Sequence, residues 1–139
     1  MNFKFIYITV FILLFYACGN PPESNAQTTA SSTQVQESVF KDISVPEAKK
    51  LISQNKDLVI VDVRTPEEIA KGKIDGAIEM DFYSPDFNAQ LEGLDKNKTY
   101  LMYCRSGNRS GQTMNRMKSM GFHRVYNMQG GYNVWSSSN

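Results

Sequence analysis

The sequence predicts an α/β domain with a mainly parallel central sheet flanked by helices. Three observations carry that expectation. Residues 58–61 (LVIV) and 99–103 (TYLMY) are short, apolar, and rich in β-branched or aromatic side chains, as strands buried on both faces must be. Segments with helix-start signals lie between such runs. The two kinds of segment alternate along the chain, which implies crossover connections and parallel pairing.

Ser44-Val45-Pro46-Glu47 has the spacing of a capping box and opens a helix to about residue 54, with Ala48, Leu51 and Ile52 on one face. The strand over 58–61 follows. Thr65-Pro66-Glu67-Glu68 is a second capping box, with proline at the favoured first helical position, and Gly72 should stop that helix. Residues 77–80 form a further strand. Ser84-Pro85 opens a helix toward Leu91 that Gly93 ends. The strand over 99–103 runs directly into Cys104-Arg105-Ser106-Gly107-Asn108-Arg109-Ser110. The helix after that loop carries Met114, Met117 and Met120 at core spacing and ends at Gly121. Residues 124–127 make one more strand, and Gly130-Gly131 opens a last short helix through Trp135.

Upstream, Lys4 precedes an apolar run of 13 residues, Phe5 to Ala17, in which only Thr9 is polar. A basic start and an apolar stretch short of the roughly 20 residues of a membrane span make a signal peptide over 1–17. The run ends Phe15-Tyr16-Ala17-Cys18-Gly19, which resembles a bacterial lipobox, with Phe15 and Tyr16 departing from the usual residues. Lipidation is expected on Cys18. Residues 18–38 are rich in Ser, Thr, Gln, Asn and Pro and nearly lack large apolar side chains, so they read as a disordered tether. The folded domain is expected over 39–139. The location implied is the bacterial cell envelope, with the protein held to a membrane by its N-terminal lipid and facing the periplasm or exterior.

Fifteen Lys and Arg balance fourteen Asp and Glu, for a net charge of +1, which gives no electrostatic basis for a nucleic-acid partner. The only histidine, His123, follows Gly121-Phe122 in a helix-to-strand turn. No set of His, Cys, Asp and Glu has metal-ligand spacing, and the Gly130-Gly131 pair lacks a nucleotide-loop fingerprint. Neither a metal nor a cofactor is expected. Two cysteines do not make a disulfide framework.

The chemistry concentrates in residues 104–110. Ligands of open α/β sheets bind at the carboxyl ends of strands, where Cys104 stands. A strand-to-helix loop can aim several backbone N–H groups at one atom, and the helix dipole behind it favours an anion. Gly107 permits the positive φ such a curl needs. A thiol at its centre is pushed toward the nucleophilic thiolate. Arg105 and Arg109 add positive charge for an anionic donor. The alternative, an ordinary buried cysteine, leaves the polar, arginine-bearing loop unexplained.

These motifs resemble a single-domain rhodanese from about Phe40 to Trp135. Residues 62–68 (DVRTPEE) are similar to the family's D-V-R-x-x-x-E segment, and residues 72–77 (GKIDGA) to its G-H-I-x-G-A segment, with Lys73 in place of histidine. Ile69 stands where an aromatic residue is common. Residues 104–110 match the active-site loop, and Gly121-Phe122, Val125-Tyr126, Gly130-Gly131-Tyr132 and Trp135 resemble the C-terminal end. The resemblance implies a rhodanese-like fold and a sulfurtransferase that carries sulfane sulfur as a persulfide on Cys104. It assigns Arg105, Ser106, Gly107, Asn108 and Arg109 to cradling persulfide or substrate. The partners implied are a small anionic donor, thiosulfate or polysulfide-like, and a thiol or cyanide-like acceptor that could be a protein. Asp62 and Arg64 read as structural support at the strand end.

Two other readings stay open. Cysteine-based phosphatases also use a cysteine-to-arginine anion loop, but with five intervening residues where this chain has four, and no acid for the leaving alcohol is evident. A non-catalytic or redox-sensing binding module is the other, and the intact cysteine weighs against it.

Overall fold

The computed structural model describes residues 37–138. The signal peptide, the lipidation of Cys18 and nearly all of the tether lie outside the described residues. Strands β1 (Val39–Ile43), β2 (Val59–Asp62), β3 (Ile78–Glu79), β4 (Thr99–Tyr103) and β5 (Arg124–Met128) form one sheet in the order β1-β5-β4-β2-β3. Every pairing is parallel. Helices α1 (Val45–Gln54), α2 (Pro66–Ile69), α3 (Phe87–Glu92) and α4 (Asn108–Ser119) lie in the crossovers, and α5 (Gly131–Ser137) follows the last strand. This is the α/β architecture the sequence predicts, a parallel central sheet flanked by helices.

The central strand explains the packing. Tyr100 and Met102 of β4 face one way, into a core with Phe87 and Leu91 of α3 and Met114 and Met117 of α4. Leu101 and Tyr103 face the other way, into a core with Val45 and Ala48 of α1, and Trp135 of α5 packs against that second core. A strand covered on both faces has no polar positions to alternate, hence its continuous apolar run. Cys104 follows on the α3/α4 side, and its neighbour in register is set by the pairing of Tyr103 with Asp62.

Several elements differ from the sequence expectation, β3, β5 and α5 only by one or two residues at their ends. β1 was read only as the start of the domain. It is an edge strand whose exposed Lys41 and Asp42 break the apolar run by which buried strands are recognised. β2 extends past the apolar residues to Asp62. α2 ends at Ile69 and the chain reaches Gly72 through a turn closed by Gly72 N–H to Ile69 O at 2.9 Å. Ser84-Pro85 forms a turn that precedes α3, with Phe87 N–H donating to Ser84 O at 3.1 Å. Among the described residues, no helix is long and apolar enough to cross a membrane.

Candidate active site

Cys104 leaves β4 at the carboxyl edge of the sheet, and α4 begins four residues later. The curl between them depends on Gly107, which has φ +98°. A Cβ there would sit 3.2 Å from Met128 O and 3.3 Å from Gln129 Cα, so both conformation and space call for glycine. Gly107 N–H donates to Cys104 Sγ at 3.2 Å. Asn127 of β5 holds the far side of the same residue: its Nδ2 donates to Gly107 O at 3.1 Å and to Asp42 Oδ1 of β1 at 2.7 Å. Two strands thus pin the loop from beneath. From the other side, Tyr132 N–H donates to Cys104 O at 2.8 Å and Asn133 N–H to Arg105 O at 3.1 Å. Gly131 lets α5 approach that closely, since a Cβ there would overlap the Cys104 carbonyl oxygen. The Gly130-Gly131 pair, which opens the last helix, therefore also braces the reactive loop.

Cys104 is 1% exposed. Burial pushes its thiol pKa up. The Ser110 hydroxyl and the N–H groups of Ser110, Ser106 and Gly107 outweigh that and hold it below the usual thiol range. Ser110 Oγ is buried and makes no hydrogen bond of ordinary geometry, which leaves its hydroxyl available to the neighbouring sulfur once this ionises. Ser110 closes the loop, and its place in the sequence alone assigns it no role. Ser110→Ala is expected to raise the pH midpoint of Cys104 alkylation by iodoacetamide, measured as rate against pH. An unmoved midpoint would show that the amides alone hold the thiolate. The fold favours the thiolate, so this group adds stability that is full above the unfolded thiol pKa and is lost as pH falls through the depressed folded value.

Asp62 and Arg64 form a buried pair next to the loop. Arg64 Nε donates to both Asp62 oxygens at 2.9 and 3.0 Å, and Nη2 to Oδ2 at 2.7 Å. Arg64 also donates to Glu68 O at 3.2 Å and Gly72 O at 2.7 Å, which fixes the end of α2. Its guanidinium carbon lies 4.0 Å from the centre of the Tyr132 ring, so the same side chain seats α5. These contacts occupy the pair in holding α2 and α5 around Cys104.

Above the loop, Thr65, Glu68, Tyr83, Arg105, Ser106, Asn108 and Arg109 line a cavity of about 350 Å³. Arg105, Ser106 and Asn108 are exposed at its rim. Arg109 departs from the expectation of a cation free for an anionic donor. Its Nη2 donates to both oxygens of Glu68, at 2.8 and 2.7 Å. Its guanidinium also lies 5.6 Å from the centre of the Tyr83 ring. Burial alone would raise the Glu68 carboxyl, but Arg109 and the Thr65 N–H hold it below the usual carboxylate range. Glu68, the last residue of the D-V-R-x-x-x-E segment and of the second capping box, also accepts from Thr65 N–H at 3.1 Å. Tyr83 gave no sequence signal, since the loop aromatics Phe82 and Tyr83 lie outside every motif. Lys73, in the histidine position, pairs with Glu79 away from this cavity. Among the described residues, no cluster of His, Cys, Asp and Glu could hold a metal ion.

The model of the rhodanese-like domain matches residues 44–138. A sulfurtransferase of Allochromatium vinosum is 33% identical over 85 residues, covering 61% of this chain and 78% of that protein. The thiosulfate sulfurtransferase GlpE of Pseudomonas entomophila is 34% identical over 102 residues, covering 73% and 89%. The crystal structure of a rhodanese-like domain protein from Staphylococcus aureus superposes with a TM-score of 0.61 at 32% identity, covering 68% of this chain and 90% of that one.

Proposed function

The chain belongs to the rhodanese-like family, in which the two curated relatives described above are named sulfurtransferases, and from that premise we propose that it moves sulfane sulfur through a persulfide on Cys104. One observation carries the proposal: a buried thiol at the end of β4 that accepts from Gly107 N–H at 3.2 Å inside a strand-to-helix loop. The thiolate attacks the outer sulfur of an anionic donor, thiosulfate or polysulfide-like. The new S–S bond forms as the donor's S–S bond breaks, and the bonding pair leaves with sulfite or the shortened polysulfide. A thiol or cyanide-like acceptor then takes the outer sulfur and returns the Cys104 thiolate. A terminal sulfur, one atom wide, can reach a thiolate seated this deep. A tetrahedral phosphoryl group needs a wider ring of donors, which weighs against phosphate chemistry.

Steady-state assays with thiosulfate or polysulfide as donor and cyanide or a small thiol as acceptor should give the parallel double-reciprocal lines of a ping-pong cycle. An aryl phosphate should not be hydrolysed. Phosphate release that depends on Cys104, without sulfur transfer, would replace this reading with the phosphatase. Neither activity, with the thiol still open to alkylation, would favour a binding or redox-sensing module.

The cell-envelope location is a further part of the proposal. It rests on the apolar run ending in Ala17-Cys18. Cys18→Ala should block processing at that site or release the protein from membranes on fractionation. Processing and membrane partition identical to the parent would refute lipidation there.

A further inference from the structure

On the sulfurtransferase reading above, we infer that Glu68 is a specificity-determining residue, which cancels the charge of Arg109 and so favours organic hydropersulfide donors over the thiosulfate dianion. The mouth of the site carries three charged side chains, Arg105, Arg109 and Glu68. Both Glu68 oxygens accept from Arg109 Nη2, and Tyr83 lies against the same guanidinium. Two positive charges and one negative leave +1, and the Cys104 thiolate brings the sum to zero. Lys71 lines an adjoining cavity shared with Glu68 and Arg105 and not this one. An incoming dianion therefore meets one unbalanced cation, the exposed Arg105, and must approach a carboxylate.

Size points the same way. A cavity of about 350 Å³ is in the range of sites for small organic molecules. An inorganic thio-oxoanion would fill only part of it. The 68%-exposed Tyr83 ring offers an apolar surface for an organic body. The step balances without any further reactant. The Cys104 thiolate attacks the outer sulfur of R–S–SH, the S–S bond to the donor breaks, and the pair leaves as RS⁻. The proton stays on the outer sulfur of the new Cys104 persulfide, and nothing is oxidised or reduced overall.

The test compares rates of Cys104 loading, followed by intact mass, for thiosulfate and for the hydropersulfide of 2-mercaptoethanol. It uses the purified full-length protein and its Glu68→Gln variant. Glutamine keeps the length and the oxygen that accepts from Thr65 N–H, so the cap survives while the charge goes. The thiosulfate-to-hydropersulfide ratio should rise about tenfold in the variant, the effect of one charge at close range near a protein surface. Glu67→Gln, an exposed carboxylate one residue away that does not line the cavity, should shift the ratio by less than about twofold. A ratio unmoved by Glu68→Gln, or moved equally by Glu67→Gln, overturns the inference. If Glu68→Gln does not fold, salt decides on the parent alone. Thiosulfate loading should change little with ionic strength at a neutral mouth, and a steep fall would contradict it. Loading of the parent by neither donor would bring down the sulfur-transfer reading too. Equal loading by both, unchanged in the variant, would remove only the specificity.

Discussion

Cys104→Ser is expected to lower sulfur transfer by at least about 10⁴-fold, to the background of the uncatalysed exchange. The loop stabilises an anion by donors already fixed in place: Gly107 N–H at 3.2 Å from Sγ, with the Ser106 and Ser110 amides and the Ser110 hydroxyl around it. Those groups lower the thiol pKa and so favour the thiolate. They cannot do so for a serine hydroxyl, which starts far higher, and oxygen cannot carry the sulfane sulfur onward. The substitution is nearly isosteric, so the fold should persist. The measurement is turnover by parent and variant at matched concentration, with thermal unfolding as the control. Transfer within tenfold of the parent, in a folded variant, would place the chemistry elsewhere.

Asp62→Ala should be the most destabilising single change near the site, by about 3–5 kcal/mol. Arg64 is 3% exposed and would lose the three hydrogen bonds its guanidinium makes to Asp62, and its backbone N–H the one it makes to Oδ1, while keeping its charge away from water. For a domain of this size the melting temperature should fall by roughly 15 °C or more. Pairing Asp62→Ala with Arg64→Met should be milder, because no charge is then left buried without a partner. Differential scanning calorimetry distinguishes the two. A single variant that melts with the parent would mean the pair contributes little to holding α2 and α5.

Much of this site was legible in the sequence because its physics is local. The Ser44 capping box, the apolar run of β4 and the glycine at 107 each act within a few residues, and each is where it was expected. The loop residues 104–109 fall together for the same reason. What the sequence hid depends on partners far along the chain. Arg109 meets Glu68, 41 positions away, and becomes half of an ion pair. Asn127 reaches Gly107 across 20 positions. Gly131 matters because of a carbonyl on Cys104 that only the folded chain brings near. β1 was missed for a different reason: an edge strand with Lys41 and Asp42 facing water carries no apolar run to read.

The most direct test of the central claim is the intact mass of the parent protein after exposure to thiosulfate or polysulfide. Treatment should add about 32 Da, one sulfur, to Cys104, as a persulfide that a thiol reductant removes and that Cys104→Ser does not acquire. No mass gain from either donor, while Cys104 still alkylates readily, would contradict the account.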